Sequence, residues 1–520
     1  MKRTYLQLFI VILLSASAIH SQNQSVQYLK SNLEFLASDE LEGREATTRG
    51  EKIASLFIAQ ELNKYGVKPF GDSGSFFQNF NMAVISADNE KTSLVIIEND
   101  GTKKTVSFNK DFVLSKSPLP NDRYSGKSYK IVFAGYGIES EEENYSDYEN
   151  LDVKGKLVVV LPGSPLESQK NIFITKLGDL KRKSAEKHGA AGIISLLDKK
   201  KSAFWSMIAG YYSSPIFKLE SELNDLDSVS IPSFVLSYET GKLIFENEKL
   251  TFDKIENLFD QDTIIRNYFE FNKEFEINFA FKKNLKPARN VIGVLEGSDE
   301  NFKKEFVTIG AHYDHLGIKG ENIYNGADDN GSGTASVLEL ARLMASEKMN
   351  KRSILFVFHT AEEKGLKGAK YLVNNSDHII KNAVVNINID MVGRESIDTI
   401  FNVGSGRLSS ELYDLVREVN SQTVNFVLDY KFDDPNDPKD IYNRSDHKQY
   451  ADKGIPVVFF FDEMNVDYHK PTDTFEKINY DKILKVVELS KALLLRIANL
   501  DHKLKVDKLE TKKEQMEEAN

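Results

Sequence analysis

Five groups of ligand-capable side chains stand at the ends of separate apolar runs. His312 closes the run VTIGAH within AHYDHLG. Asp328 and Asp329 lie in YNGADDNGSG just before a helical stretch, and Glu362 and Glu363 follow ILFVFHTA. Asp390 follows VVNINI, and His469 lies in DYHKPTDT after VVFFFDE. Taken singly, an Asp-Asp or Glu-Glu pair at a helix start caps the helix and complements its dipole, and a His after a strand is ordinarily structural. Together they suit a site with two metal ions. One carboxylate bridges, and each ion takes a further carboxylate and an imidazole: His312 and Asp390 for one, Glu363 and His469 for the other, Asp328 between. Nitrogen and oxygen donors of this kind suit zinc, with manganese and cobalt as chemically close alternatives. The chain has no cysteine, so thiolate ligands, a cysteine nucleophile and disulfides are excluded.

The elements that must position these groups alternate from Asn290 onward. Val291–Leu295, Phe306–Ala311, Ile354–His359, Val384–Ile389, Thr399–Val403 and Pro456–Phe461 are rich in β-branched and aromatic residues and mostly apolar, the pattern of strands buried on both faces of a largely parallel sheet. Helical stretches at about 332–346, 364–374, 409–420 and 480–499 separate most of them. In such a sheet, sites form outside the carboxyl ends of the strands. The expected fold is therefore α/β, a mixed, largely parallel sheet sandwiched by helices. Before it, residues 26–65 read as mostly helical with Gly66 as the stop, after a polar loop LASDELEGREATTRG. From about 85 to 260 short strands take over, with a helix near Lys181–His188, as in a separate β-rich insertion.

The whole chain adds limits. Its 520 residues imply two or three domains. A net charge of -11 without a basic cluster argues against nucleic-acid binding. Lys2 and Arg3, the apolar run Leu6–Leu14 and the small residues Ser15–Ala18 have the layout of a cleavable secretory signal, so a secreted or periplasmic protein is expected. No later run is long enough for a membrane span. The expected divisions are 1–21 signal, 22–84 first part of the catalytic domain, 85–260 insertion, 261–500 catalytic domain and 501–520 charged tail.

AHYDHLG, NGADDNGSG, TAEEKGLKGA, NIDMVG and DYHKPTDT, in that order, resemble the motifs of the M28 family of zinc peptidases, and LASDELEGRE is similar to the family's N-terminal segment. IVFAGYGI, YENLDVKGKLVVVLPGSP, AEKHGAAGIISL and VSIPSFVLS resemble, more loosely, the protease-associated (PA) domain inserted in many members. The resemblance implies two Zn(2+): His312 and Asp390 on one, Glu363 and His469 on the other, Asp328 bridging, with Glu362 as general base. It implies peptide or protein N-termini as substrates, cleaved through a metal-bridging water. Asp314 would take the second N–H of His312, Tyr468 would donate to the oxyanion, and Asp473 would support the ligands from behind. Arg444, Ser445 and His447 fall in a stretch similar to a substrate-side loop, while His315 reads as nearby support and His359 as buried structure. A carboxypeptidase or dipeptidase is the alternative, with Arg394 and Arg444 as its cations. A glutaminyl cyclase or an inactive receptor-like module fits less well, because every ligand is present. The insertion would restrict substrate access or mediate homodimer contacts.

Overall fold

The computed structural model of the protein describes residues 22–508 apart from 116–118, 167–168, 170–173, 228–229, 261–267 and 395. The expected signal segment 1–21 and the end of the charged tail lie outside the described residues. The chain divides into two compact units, residues 1–82 with 286–520, and residues 83–285. No described helix is long and apolar enough to cross a membrane.

The first unit is the α/β layer structure expected. Its main strands are β1 (Phe281–Leu295), β2 (Phe306–His312), β3 (Ser353–His359), β4 (Ala383–Ile389), β5 (Thr399–Val403), β6 (Val427–Asp429) and β7 (Val457–Phe461), in the spatial order β1-β3-β2-β4-β7-β5-β6. The central pairs β3/β2, β2/β4 and β4/β7 are parallel, whereas β1/β3 and β7/β5 are antiparallel. Every residue of β2, β3 and β7 is buried, which is why these runs carry no polar alternation. Helices α1 (Arg49–Lys64), α2 (Gly333–Glu347), α3 (Lys367–Asn375), α4 (Ser410–Gln422) and α5 (Tyr480–Ala498) complete this unit's main elements. Leu338, Leu340, Ala341, Val486, Leu489 and Leu493 join Val307, Ile309, Ile354, Phe356 and Ile387 in one core. Each aliphatic side chain so buried contributes about 1.5–3 kcal/mol, enough to hold the strand ends while polar groups are buried beside them.

The second unit has its own eight-stranded sheet, running from Lys103–Ser107 at one edge to Phe112–Leu114 at the other. Phe133, Phe234, Phe245 and Phe275 lie in its core. Its return point differs from the expected one. The strand Phe269–Asn278 pairs with Ser93–Glu98 and Lys127–Phe133 inside this sheet, so the unit closes at 285 and not at 260. The alternation of Phe271, Phe275 and Ile277 with charged residues is that of a strand buried on one face.

Candidate functional site

The parallel register brings the carboxyl ends of β2, β3, β4 and β7 to one edge, with His312 opposite His359. There the imidazoles and carboxylates converge. Nε2 of His312 lies 3.3 Å from Asp390 Oδ1 and 3.4 Å from Asp329 Oδ1. Nε2 of His469 lies 3.1 Å from Asp329 Oδ2 and 3.3 Å from Glu363 Oε2. Each oxygen of Asp329 therefore faces a different histidine. That is the disposition of a bridging carboxylate between two cation positions.

The bridging residue is Asp329, a correction to the expectation of Asp328. Asp328 is fully buried on the other side of the loop, where its carboxylate accepts from Gly393 N–H at 2.8 Å and Asn465 Nδ2 at 3.0 Å. The backbone at Asp329 and Asn330 departs from helical geometry, so the two neighbouring carboxylates face different surroundings. Burial, with Asp473 and Asp462 nearby, pushes the Asp328 carboxyl well up. Burial also raises Asp329, but His315, His312 and His469 outweigh it and hold that carboxylate well below its usual range. Asp473 supports the loop as expected, accepting from the backbone N–H of Asp328 at 3.0 Å and of Asp329 at 3.1 Å.

These residues fit divalent metal. Tetrahedral zinc with donors at ~2.0–2.1 Å sets its ligand atoms about 3.3–3.4 Å apart, the spacing found here. Asp390 Oδ1 and Glu363 Oε1 are buried without a hydrogen-bond partner, a costly state that a cation relieves. His312, Asp329 and Asp390 form one group of donors able to hold an ion, and His315, Asp329 and Glu363 a second. Glu362, 4.0 Å from His312 Nε2, adds a further carboxylate, which burial drives well above its usual range.

The turn that separates Glu362 from Glu363 begins at Ala361, which holds φ at +55°; Met391 after Asp390 (+53°) and His469 itself (+55°) are also left-handed. Each such residue costs about 1–2 kcal/mol, and they cluster at the site.

Other expected residues are placed as follows. Asp314 presents its backbone carbonyl to His312 Nδ1 at 3.1 Å, whereas its carboxylate is 3.7 Å away and accepts from Glu362 N–H at 3.1 Å. It thus fixes His312 through the main chain and holds the Glu362 turn with its side chain. Ser445 is buried and donates to Asp390 Oδ2 at 2.7 Å while accepting from Asn388 Nδ2 at 2.8 Å; it orients a ligand and does not face substrate. His447 is fully buried, stacked 4.6 Å from Phe459 and pushed down to about 3 by burial, so it backs the wall and does not line the cleft. Arg444 does line the cleft, donating to Tyr468 Oη at 3.1 Å. Arg394 is engaged by Asp467 and, at 3.5 Å, Asp473. His359 is buried with Nε2 3.2 Å from Tyr450 Oη, as expected of a structural residue.

One important residue was not legible as such. Arg44, in the polar loop LEGRE, is buried and donates to the carbonyls of Leu36, Tyr313 (2.8 Å), Asn325 (2.6 Å) and Gly326 (3.0 Å). It ties the His312 and Asp329 loops together from behind. Burial lowers its guanidinium to about 10, against the pull of Asp314, Asp329, Asp473 and Glu363. An arginine beside a glycine in an otherwise acidic loop is the only sequence signal.

The model of peptidase family M28 matches residues 290–494. Over these residues the chain is similar to peptidase family M28. Aminopeptidase YwaD of Bacillus subtilis is 30% identical over 241 residues, 43% of this chain and 48% of that protein. The probable leucine aminopeptidase 2 of Arthroderma benhamiae is 25% identical over 276 residues, 51% of this chain and 48% of that protein. The matched region thus spans about half the length of these curated relatives. In fold, the chain is similar to the aminopeptidase from Aneurinibacillus sp. strain AM-1, with a TM-score of 0.57 and 20% identity over 93% of this chain and 96% of that one.

The site makes a pH dependence explicit. Burial lowers the His469 imidazole, but Asp329 and Glu363 more than reverse this and raise it to about 9. A ligating imidazole must be neutral. Apparent divalent-metal affinity of the metal-free protein should therefore rise with pH up to about 9 and level beyond it, with proton release on metal uptake at pH 7. The stabilisation that charged His469 gives the metal-free fold has the opposite sense. It is complete below about 6.5, the unfolded value, and is lost as pH rises through about 9. Metal titrations and thermal melts of chelated protein between pH 6 and 10 check both slopes.

Proposed function

We propose that this protein is an exported aminopeptidase with two zinc ions, hydrolysing the first peptide bond of peptides or proteins. The observation that carries the reading is the pair of imidazole–carboxylate half-sites sharing Asp329, with Glu362 beside them. His312 and Asp390 would hold one ion, Glu363 and His469 the other. When bound, two zinc ions supply Lewis-acid polarisation of the peptide carbonyl and of the attacking water. Glu362 accepts the proton of that water and delivers it to the leaving amine; its raised carboxyl affinity for protons suits both halves of that transfer. Adjacent Glu363 is instead held at about 2, where burial and Asp329 push up but His315 and His469 prevail. Two neighbouring glutamates thus have different roles set by environment. Burial, Asp329 and Glu363 all push the Tyr468 phenol up, so it stays protonated and available to donate to a developing oxyanion. The Arg444 donor occupies an oxygen lone pair of that phenol and leaves its O–H for such a bond.

Substrate choice follows from the cleft, whose lining beside Asp390 includes Met391, Ile441, Phe459, Phe461 and Met464. An apolar wall of this kind accepts an aliphatic or aromatic first side chain. Leucyl and methionyl substrates are expected to exceed alanyl ones about 30- to 100-fold in kcat/KM, from ~0.8 kcal/mol per methylene buried. Aspartyl substrates should be cleaved more slowly still. A panel of aminoacyl p-nitroanilides measures this. Of the two cations a carboxypeptidase would use, Arg394 is already bound to Asp467 and Asp473, which leaves Arg444 at the cleft as its one candidate. Activity against blocked peptides with free carboxyl ends, and none against free amino ends, would move the reading there. The second unit is proposed to be a PA-like insertion, and the N-terminal segment a cleaved export signal.

A further inference from the structure

A second imidazole of AHYDHLG has no place in the five-ligand arrangement. His315 is fully buried, and neither of its nitrogens has a hydrogen-bond partner. Its Nδ1 stands 2.8 Å from Glu363 Oε1 and 3.8 Å from Asp329 Oδ2. The two are in ion-pair contact at 2.8 Å, and Glu363 Oε1, like His315 Nδ1, is buried with no hydrogen-bond partner among the described residues. The ring meets that of His469 edge-on, with centroids 5.8 Å apart. An unpartnered nitrogen, an unpartnered oxygen and a shared carboxylate surround one point, and burying such polar atoms unsatisfied is unfavourable.

The ring is also held where it is. Its backbone N–H donates to Arg44 O at 3.2 Å. Gly326, at φ +58°, packs directly on it: a Cβ there would lie 2.5 Å from His315 Cγ and Cδ2. Glycine is thus needed both for the left-handed backbone and for the ring's place. A side chain so constrained, with no hydrogen-bond partner among the described residues, is preorganised for a ligand.

We infer that His315 is an additional metal ligand, presenting Nδ1 to the ion position defined by Asp329, Glu363 and His469. This rests on the metal reading of the site. It makes the two positions unequal: three donors, His312, Asp329 and Asp390, face one, and four face the other. The position with two imidazoles fills first on reconstitution and empties last on chelation. The alternative role, a hydrogen bond that merely orients Glu363, belongs to outer-shell partners, whose loss weakens metal binding about 10- to 100-fold.

The test is Co(2+) titration of the metal-free full chain, read by the visible d–d spectrum and by competition with a chromophoric chelator. Two separated affinities are expected for the natural protein. His315→Asn keeps an N–H near the place of Nδ1, able to donate to Glu363, but removes the imidazole donor. It should weaken the tighter position by about a hundredfold or more and change its spectrum, as should His315→Ala. A His315→Asn protein that binds Co(2+) at the tighter position within about threefold of the natural protein, with the same spectrum, would overturn the inference. Absence of Co(2+) uptake by the natural protein would instead remove the metal reading beneath it. Circular dichroism of both variants separates unfolding from ligand loss.

Discussion

Glu362→Gln is expected to lower kcat about 10³- to 10⁴-fold, the upper part of the range for removing a general acid–base group, with metal content unchanged. The amide is nearly isosteric, and Glu362 is not one of the donors that group around either ion position. Its oxygen lies 4.0 Å from His312 Nε2, beyond the 3.3 and 3.4 Å of Asp390 and Asp329. The backbone N–H of residue 362 keeps its bond to Asp314, so the turn that aims Glu363 survives. Metal analysis beside single-turnover kinetics checks both halves. Loss of metal together with activity would make Glu362 a ligand, and retention of activity would show that Glu362 is not the proton acceptor.

Asp329→Asn and Asp328→Asn should differ sharply, although the residues are adjacent. Asp329 faces both His312 and His469. Its amide would leave one weak donor where two charged oxygens stood, and bound metal should fall to one ion or fewer with activity down at least about 10³-fold, because ligand loss removes the Lewis acid itself. Asp328 touches neither histidine and is pushed toward its neutral form, for which asparagine is a close replacement. That variant should keep both ions and lose stability by about 1–2 kcal/mol where the new N–H2 meets a donor. Metal content and thermal melts distinguish the pair. Equal loss of metal in both would contradict the assignment of the bridge.

The difference between 328 and 329 also shows where sequence reading stops. Strand ends were legible because fully apolar, β-branched runs admit little besides buried strands: Thr399–Val403 has the expected bounds, and Phe306–His312 and Ala383–Ile389 extend theirs by one residue. The convergence of His312, Glu363, Asp390 and His469 followed from those ends. Within the loop after Gly326, no period of 2 or 3.6 governs the chain, so which of two aspartates points inward is set by tertiary contacts with Gly393, Asn465 and Asp473. Ser445 and His447 failed for a related reason. A polar run reads as solvated, yet beyond the exposed Arg444 the residues Ser445, Asp446 and His447 are buried, Ser445 against Asp390 and His447 against Phe459. Arg44 was hidden in the same way, its partners being carbonyls that leave no trace in sequence. The return of the insertion was misplaced because Phe269–Asn278 carries the alternating pattern of a one-sided strand, which either sheet could have taken.

The central claim is tested most directly by offering purified protein, zinc-loaded or chelated, a leucyl peptide with a free amino end and the same peptide N-acetylated. The account predicts release of free leucine from the first peptide alone, lost on chelation and restored by about two equivalents of zinc. Equal cleavage of the acetylated peptide, or full activity in metal-free protein, would contradict it.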